Sequence, residues 1–182
     1  MARDTISRSL HDVGLAAWFG GTLANAVALN PAAAEADTAN GTGRVANAGW
    51  NKWTPVNAAA IGAHLIGSVG QLAGNSSRVA GQRGVGTMVL VKTGLTVVTL
   101  AVTGYSRLLG SKVAEEPSVP ALAGTEPAAS TPDGVAKAQK QLTVLQWAVP
   151  VLTGALIVVS SLAGEQQRPS EVKKGFLARF TN

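Results

Sequence analysis

MVLVKTGLTVVTLAV, residues 88–102, and VLQWAVPVLTGALIVVSSL, residues 144–162, decide the fold, because both are dense in Val and Leu and Lys92 is their one formal charge. Crossing the roughly 30 Å hydrocarbon layer at about 1.5 Å per residue takes about 20 residues of helix. β-Branched residues do not oppose helix there, since lipid offers the backbone no hydrogen-bond partner and every group must bond within the segment. Both stretches therefore read as membrane-spanning helices, with spans at residues 85–105 and 142–163.

Two weaker segments join them, at residues 10–29 and 54–73. The second, with Asn57, His64, Gln71 and several glycines, partitions poorly alone and is expected to insert with its neighbours. The sequence thus predicts an all-α integral membrane bundle of four transmembrane helices over residues 1–163, followed by a basic amphipathic segment at 164–182. Composition agrees, since 46% of the 182 residues are hydrophobic and 14% are charged, too few for an ordinary soluble surface. The start imitates a secretory signal peptide, but its glycines and Asn25 make a weak hydrophobic region, so an uncleaved first helix is expected.

Between the first two spans, Pro31 reads as a stop, and Gly41 and Gly43 are expected to interrupt any short helix there. The third connection, residues 106–141, is rich in proline and scattered acids and reads as a flexible, disordered loop. In the tail, Ser170 is placed to cap a helix on which Val172, Phe176 and Phe180 recur every four residues opposite Lys173, Lys174 and Arg179. That pattern suits a segment lying on a membrane surface.

A net charge of +5 raises nucleic acid as a partner, but the basic residues flank hydrophobic spans instead of forming a stripe, so topology explains them better. The termini and the second connection collect eight Lys and Arg, and the opposite side six. Trp50, Trp53, Tyr105 and Trp147 fall together at the ends of the spans away from the termini, as one interfacial belt. The expected arrangement is multi-pass in the plasma membrane, the inner membrane of a bacterium, with both termini and the 164–182 tail cytoplasmic and the 106–141 loop outside. The Ala, Gly and Val richness without cysteine resembles membrane proteins of high-GC bacteria such as actinobacteria, in composition alone.

Lys92 is the one formal charge well inside a span, yet it lies about seven residues, roughly 10 Å, from the span edge and its stem can carry the ammonium back toward the interface. Thr96, Thr99 and Thr103 continue its polar stripe. His64 shares a helical face with Asn57, Ser68 and Gln71, a stripe suited to interhelical hydrogen bonds, while Gly67, Gly70 and Gly74 admit a close backbone. His64 is also a weak candidate for haem ligation or proton transfer, although His11 is expected nearer the edge and so at the wrong depth for a bis-histidine haem.

Without cysteine, and with two histidines, the chain lacks the material for thiolate chemistry or an obvious metal centre, and no phosphate loop or nucleophile elbow is present. No cofactor, metal or catalytic residue is therefore expected. The reading that follows is a non-catalytic accessory or scaffold subunit of a membrane complex, possible settings being respiratory or cell-envelope assemblies, or a homo-oligomer. A small oligomeric transporter or channel, and a redox or lipid-binding subunit using His64, are the alternatives.

Overall fold

The computed structural model describes residues 4–116 and 118–177. Its first rod begins as α1 (Thr5–Ala24) and does not stop at Pro31. Proline lacks the N–H that would bond the residue 27 carbonyl, and its ring crowds that carbonyl. The chain meets this by widening into a π-helical turn over Asn25–Leu29 before α2 (Asn30–Ala32) and a 3₁₀ turn at Ala33–Glu35.

Thr38 then opens α3 (Ala39–Gly74), its Oγ1 accepting from the Gly41 N–H at 3.0 Å. Gly41 and Gly43 lie inside this helix and do not interrupt it. A Cβ at Gly43 would collide with the Val119 carbonyl, so that glycine serves a close approach. A short α4 (Ser76–Gly81) and Gly84, whose φ of +83° suits glycine, lead into α5 (Val85–Ala114). Next come β1 (Ala121–Ala123) and β2 (Glu126–Pro127), paired antiparallel, then α6 (Asp133–Glu165) and α7 (Pro169–Leu177).

The four long rods have the length and apolarity to cross a membrane, and the class is all-α. Their contacts fix alternating directions. Glycines of α3 meet α1 in reverse order, Gly74 at Asp4, Gly70 at Ser7 and Gly67 at His11. Asn30 bonds Gln146 in the first half of α6 while Arg8 bonds Gln167 just past its last residue. Tyr105 of α5 bonds Gln141 of α6. Both ends of the described chain therefore lie at one end of the bundle, the terminal end. Leu15, Trp18, Ala60, Val149 and Leu156 form the core. Val69, Leu90 and Val151 are about 70% exposed (68%, 74% and 68%), as a lipid-facing exterior requires.

The predicted disordered loop is a correction. Helix α5 runs on to Ala114, α6 starts at Asp133, and the chain between them folds as a cap around the hairpin. Val113, Val119, Val135 and Ala138 make a second small core, with Leu109 and Leu142 packed on it. The prolines break helix here without preventing order, because the extended ends of three helices give the segment something to bury against. Asn30, 3% exposed, ties this cap together. Its side chain donates to Gln146 Oε1 (2.7 Å) and accepts from Trp50 Nε1 (2.9 Å), and its carbonyl accepts from the Gly124 N–H (3.0 Å). In the tail, α7 starts at Pro169, so Ser170 lies inside the helix and is not its cap. The Phe176 side chain, Arg179 and Phe180 lie outside the described residues.

Candidate functional site

Helix α1 packs along α3 and α6, and α5 packs along α6, whereas α3 and α5 barely touch. The ring of four helices is thus left open along one seam. A recess of about 360 Å³ occupies its cap end and one of about 510 Å³ its terminal end. Leu100 borders both.

The candidate residues divide between this seam and the α1–α3 interface. Ser68, Gln71, Lys92 and Thr96 come together around the terminal-end recess. Asn57, Trp50 and Trp53 line the cap-end recess with Thr103, which continues the Lys92 stripe. His64 and Gly67 turn instead toward α1, so the helical face they share with Asn57, Ser68 and Gln71 is split between two neighbours. Thr99 is wholly buried, and its hydroxyl bonds the Leu95 carbonyl of its own helix.

His64 is fully buried, its ring centroid 4.5 Å from that of His11 and 6.1 Å from that of Trp18. This corrects the expectation that His11 lies at a different depth. Antiparallel packing brings α1 so close to α3 at Gly67 that a Cβ there would strike the His11 backbone, and His64, one turn away, covers the His11 ring. The His11 Nδ1–H donates to Asp12 Oδ1 at 2.6 Å, and the His64 Nδ1–H reaches the His11 carbonyl at 3.4 Å. Two packed imidazoles leave no slot between them for a macrocycle. Among the described residues no three His, Asp or Glu side chains gather as a metal site.

Of the His64 stripe, Ser68 was expected to bond between helices, and its hydroxyl is instead satisfied locally. Ser68 bonds the His64 carbonyl (2.8 Å) and Thr96 the Lys92 carbonyl (2.9 Å), each within its own helix. A carbonyl one turn back is within reach of a helical Ser or Thr in a suitable rotamer, and lipid supplies no competitor. The longer amides lack that local partner. Asn57 Oδ1 and Gln71 Nε2 are buried and unbonded among the described residues, as are Asn47 Nδ2, Trp53 Nε1 and Thr103 Oγ1. All five groups belong to residues that line the seam.

The terminal-end recess reaches Arg78, which donates to the Gln166 carbonyl at 2.9 Å and to Gln82 and Asn75 at 3.1 Å each. Burial, and then the nearby Arg8, lower the pKa of Arg78 from its ordinary value. Lys92 has no ion-pair or side-chain hydrogen-bond partner among the described residues and faces the same recess. Its stem can therefore carry the charge toward the terminal end.

Of the expected interfacial aromatics, Tyr105 and Trp147 are each 47% exposed. Trp50 and Trp53 turn inward, Trp50 onto Asn30 and Trp53 over Gly21. Lys173 and Lys174 lie exposed on α7, with Lys174 paired to Glu171. Sequence reasoning missed Asn30, because Asn-Pro reads as a turn, and Asn47, because its segment reads as a loop. Comparison with protein-family models, curated proteins and solved structures finds no match to this chain.

Proposed function

We propose that the protein is a non-catalytic integral membrane subunit that receives a segment of another membrane polypeptide along the α3–α5 seam. The open seam with unbonded amides on its wall carries this reading. Buried polar groups without partners are costly in lipid, and a neighbouring helix with polar side chains relieves that cost. The adjoining exposed apolar surface of α3 and α5, including Leu72, Leu90 and Val97, gives such a helix its packing surface. The membrane is proposed to be the plasma membrane, with the terminal end cytoplasmic.

Purification from native membranes in mild detergent, followed by mass spectrometry, tests the assignment. A stoichiometric membrane polypeptide should co-elute, and Thr93→Phe, at the mouth of the terminal-end recess, should release it. Val151→Trp, on the exposed side of α6, should retain it. A chain that elutes without a stoichiometric partner, or a partner indifferent to Thr93→Phe, would sink the proposal.

The meeting of the two recesses at Leu100 favours a second reading, an oligomeric permeation path with Leu100 at its constriction. Ion or solute flux into liposomes that rises with Leu100→Ala would select that reading over the scaffold.

A further inference from the structure

The cap-end recess grades from polar at its rim to apolar in its depth. Asn47, Asn51 and Arg107 lie at its upper rim, level with or beyond Trp50 and Tyr105. Ile61, Leu100, Leu145 and Val149 line its depth. Three buried groups able to donate have no partner among the described residues, Asn47 Nδ2 at the rim and Trp53 Nε1 and Thr103 Oγ1 further in. Arg107 is exposed and likewise unpaired there. A volume of about 360 Å³ fits part of an amphiphile and is too small for a helix about 10–12 Å across.

A cation at the interface, donors just beneath it and apolar walls below follow the order of phosphate, ester oxygens and acyl chain in a phospholipid. Water would satisfy the donors but not occupy the apolar depth, and a free phosphate would leave that depth empty. We propose that the cap-end recess holds one anionic phospholipid. Its phosphate pairs with Arg107 and accepts from Asn47, its ester carbonyls accept from Trp53 and Thr103, and one acyl chain descends toward Leu100. This proposal does not rest on the docking reading, since the lipid lies behind the seam mouth whether or not a partner covers it.

The glycines of α5 supply a test that spares folding. Gly104 and Gly110 line the recess, and a Cβ at either meets nothing within 4 Å. Gly104→Leu therefore puts a side chain into the lumen while improving helix propensity. The full chain, delipidated in detergent, is titrated with phosphatidylglycerol or phosphatidylcholine of the same chain length, and bound lipid is read by native mass spectrometry. Wild type should favour phosphatidylglycerol by roughly fivefold, the worth of one partly screened charge-assisted contact. Arg107→Gln should abolish the preference, and Gly104→Leu should remove binding of both lipids at an unchanged thermal midpoint. Should Gly104→Leu fail to fold, Thr103→Val, which removes one donor without adding bulk, should lower retention of both lipids. Equal retention of the two lipids by wild type, or retention undiminished in a folded Gly104→Leu or in Thr103→Val, overturns the proposal. Inorganic phosphate that displaces phosphatidylglycerol at millimolar concentration also overturns it, by assigning the rim to a free anion.

Discussion

His64 shows how a polar residue in an apolar bundle can be structural in its surroundings and still look like chemistry in a sequence. Its ring is enclosed by His11 and Trp18, and its one bond to a neighbouring helix is long, at 3.4 Å. Hydrogen bonds between membrane helices average well below roughly 2 kcal/mol, so packing outweighs this contact. His64→Gln should therefore keep the fold with a loss under about 2 kcal/mol, and His64→Leu, which cannot reach the His11 carbonyl, should lose slightly more. Denaturant titration in mixed micelles measures both. A loss above about 4 kcal/mol for His64→Gln would show that the imidazole pair carries an interaction beyond packing. A Soret band that depends on His64 in native membranes would restore the haem alternative. The partnership of His64 with His11 was not legible in the sequence, because distance along each span says little about depth until the crossing of the helices is known.

At the scale of elements, the glycines of α3 set where α1 can lie. A Cβ at Gly67 would strike the backbone of Ser7 and His11, whereas a Cβ at Gly62 meets nothing within 4 Å. Gly67→Leu should thus push α1 away and destabilise by about 1–3 kcal/mol or more. Gly62→Leu, on the same helix, should be neutral or stabilising by up to about 1 kcal/mol. Equal effects in a micellar unfolding assay would mean that the two helices are not held by close approach at Gly67. The small-residue spacing that marks this interface was readable because lipid provides no hydrophobic drive between helices, leaving close packing to dominate. Helix extents were not readable. Residues 39–53 are too polar for a span, and they stay helical because Thr38 caps them and the Val119 region docks on Gly43. Proline spacing in the 115–132 segment likewise signalled broken helix correctly, but order there comes from the Asn30 bonds and the second core, which join residues remote in sequence.

For the whole molecule, four alternating rods put both ends of the described chain on one side, and orientation then depends on charge. The sequence assigns eight Lys and Arg to the terminal side against six to the cap side, a small excess, and acids count little in the positive-inside effect. The structure alters how that excess reads. Arg8 and Arg78 are engaged with Gln167 and Gln166, so part of the terminal-side charge also ties α1 and α4 to the residues just past α6. An engaged guanidinium still carries its charge and still resists translocation, so these contacts do not weigh against the proposal of a cytoplasmic terminal side. Ser77, in α4, and Ser130, in the cap, are both exposed, and a cysteine at either should not disturb packing. The chain has no native cysteine, so a single introduced thiol reports alone. On intact cells with a permeabilised outer envelope, an impermeant maleimide should label Ser130→Cys and leave Ser77→Cys unlabelled until the membrane is opened. The reverse pattern would invert the molecule and place the Arg107 recess in the cytoplasmic leaflet. Labelling of both sites on intact cells would show that the four rods do not all cross the membrane.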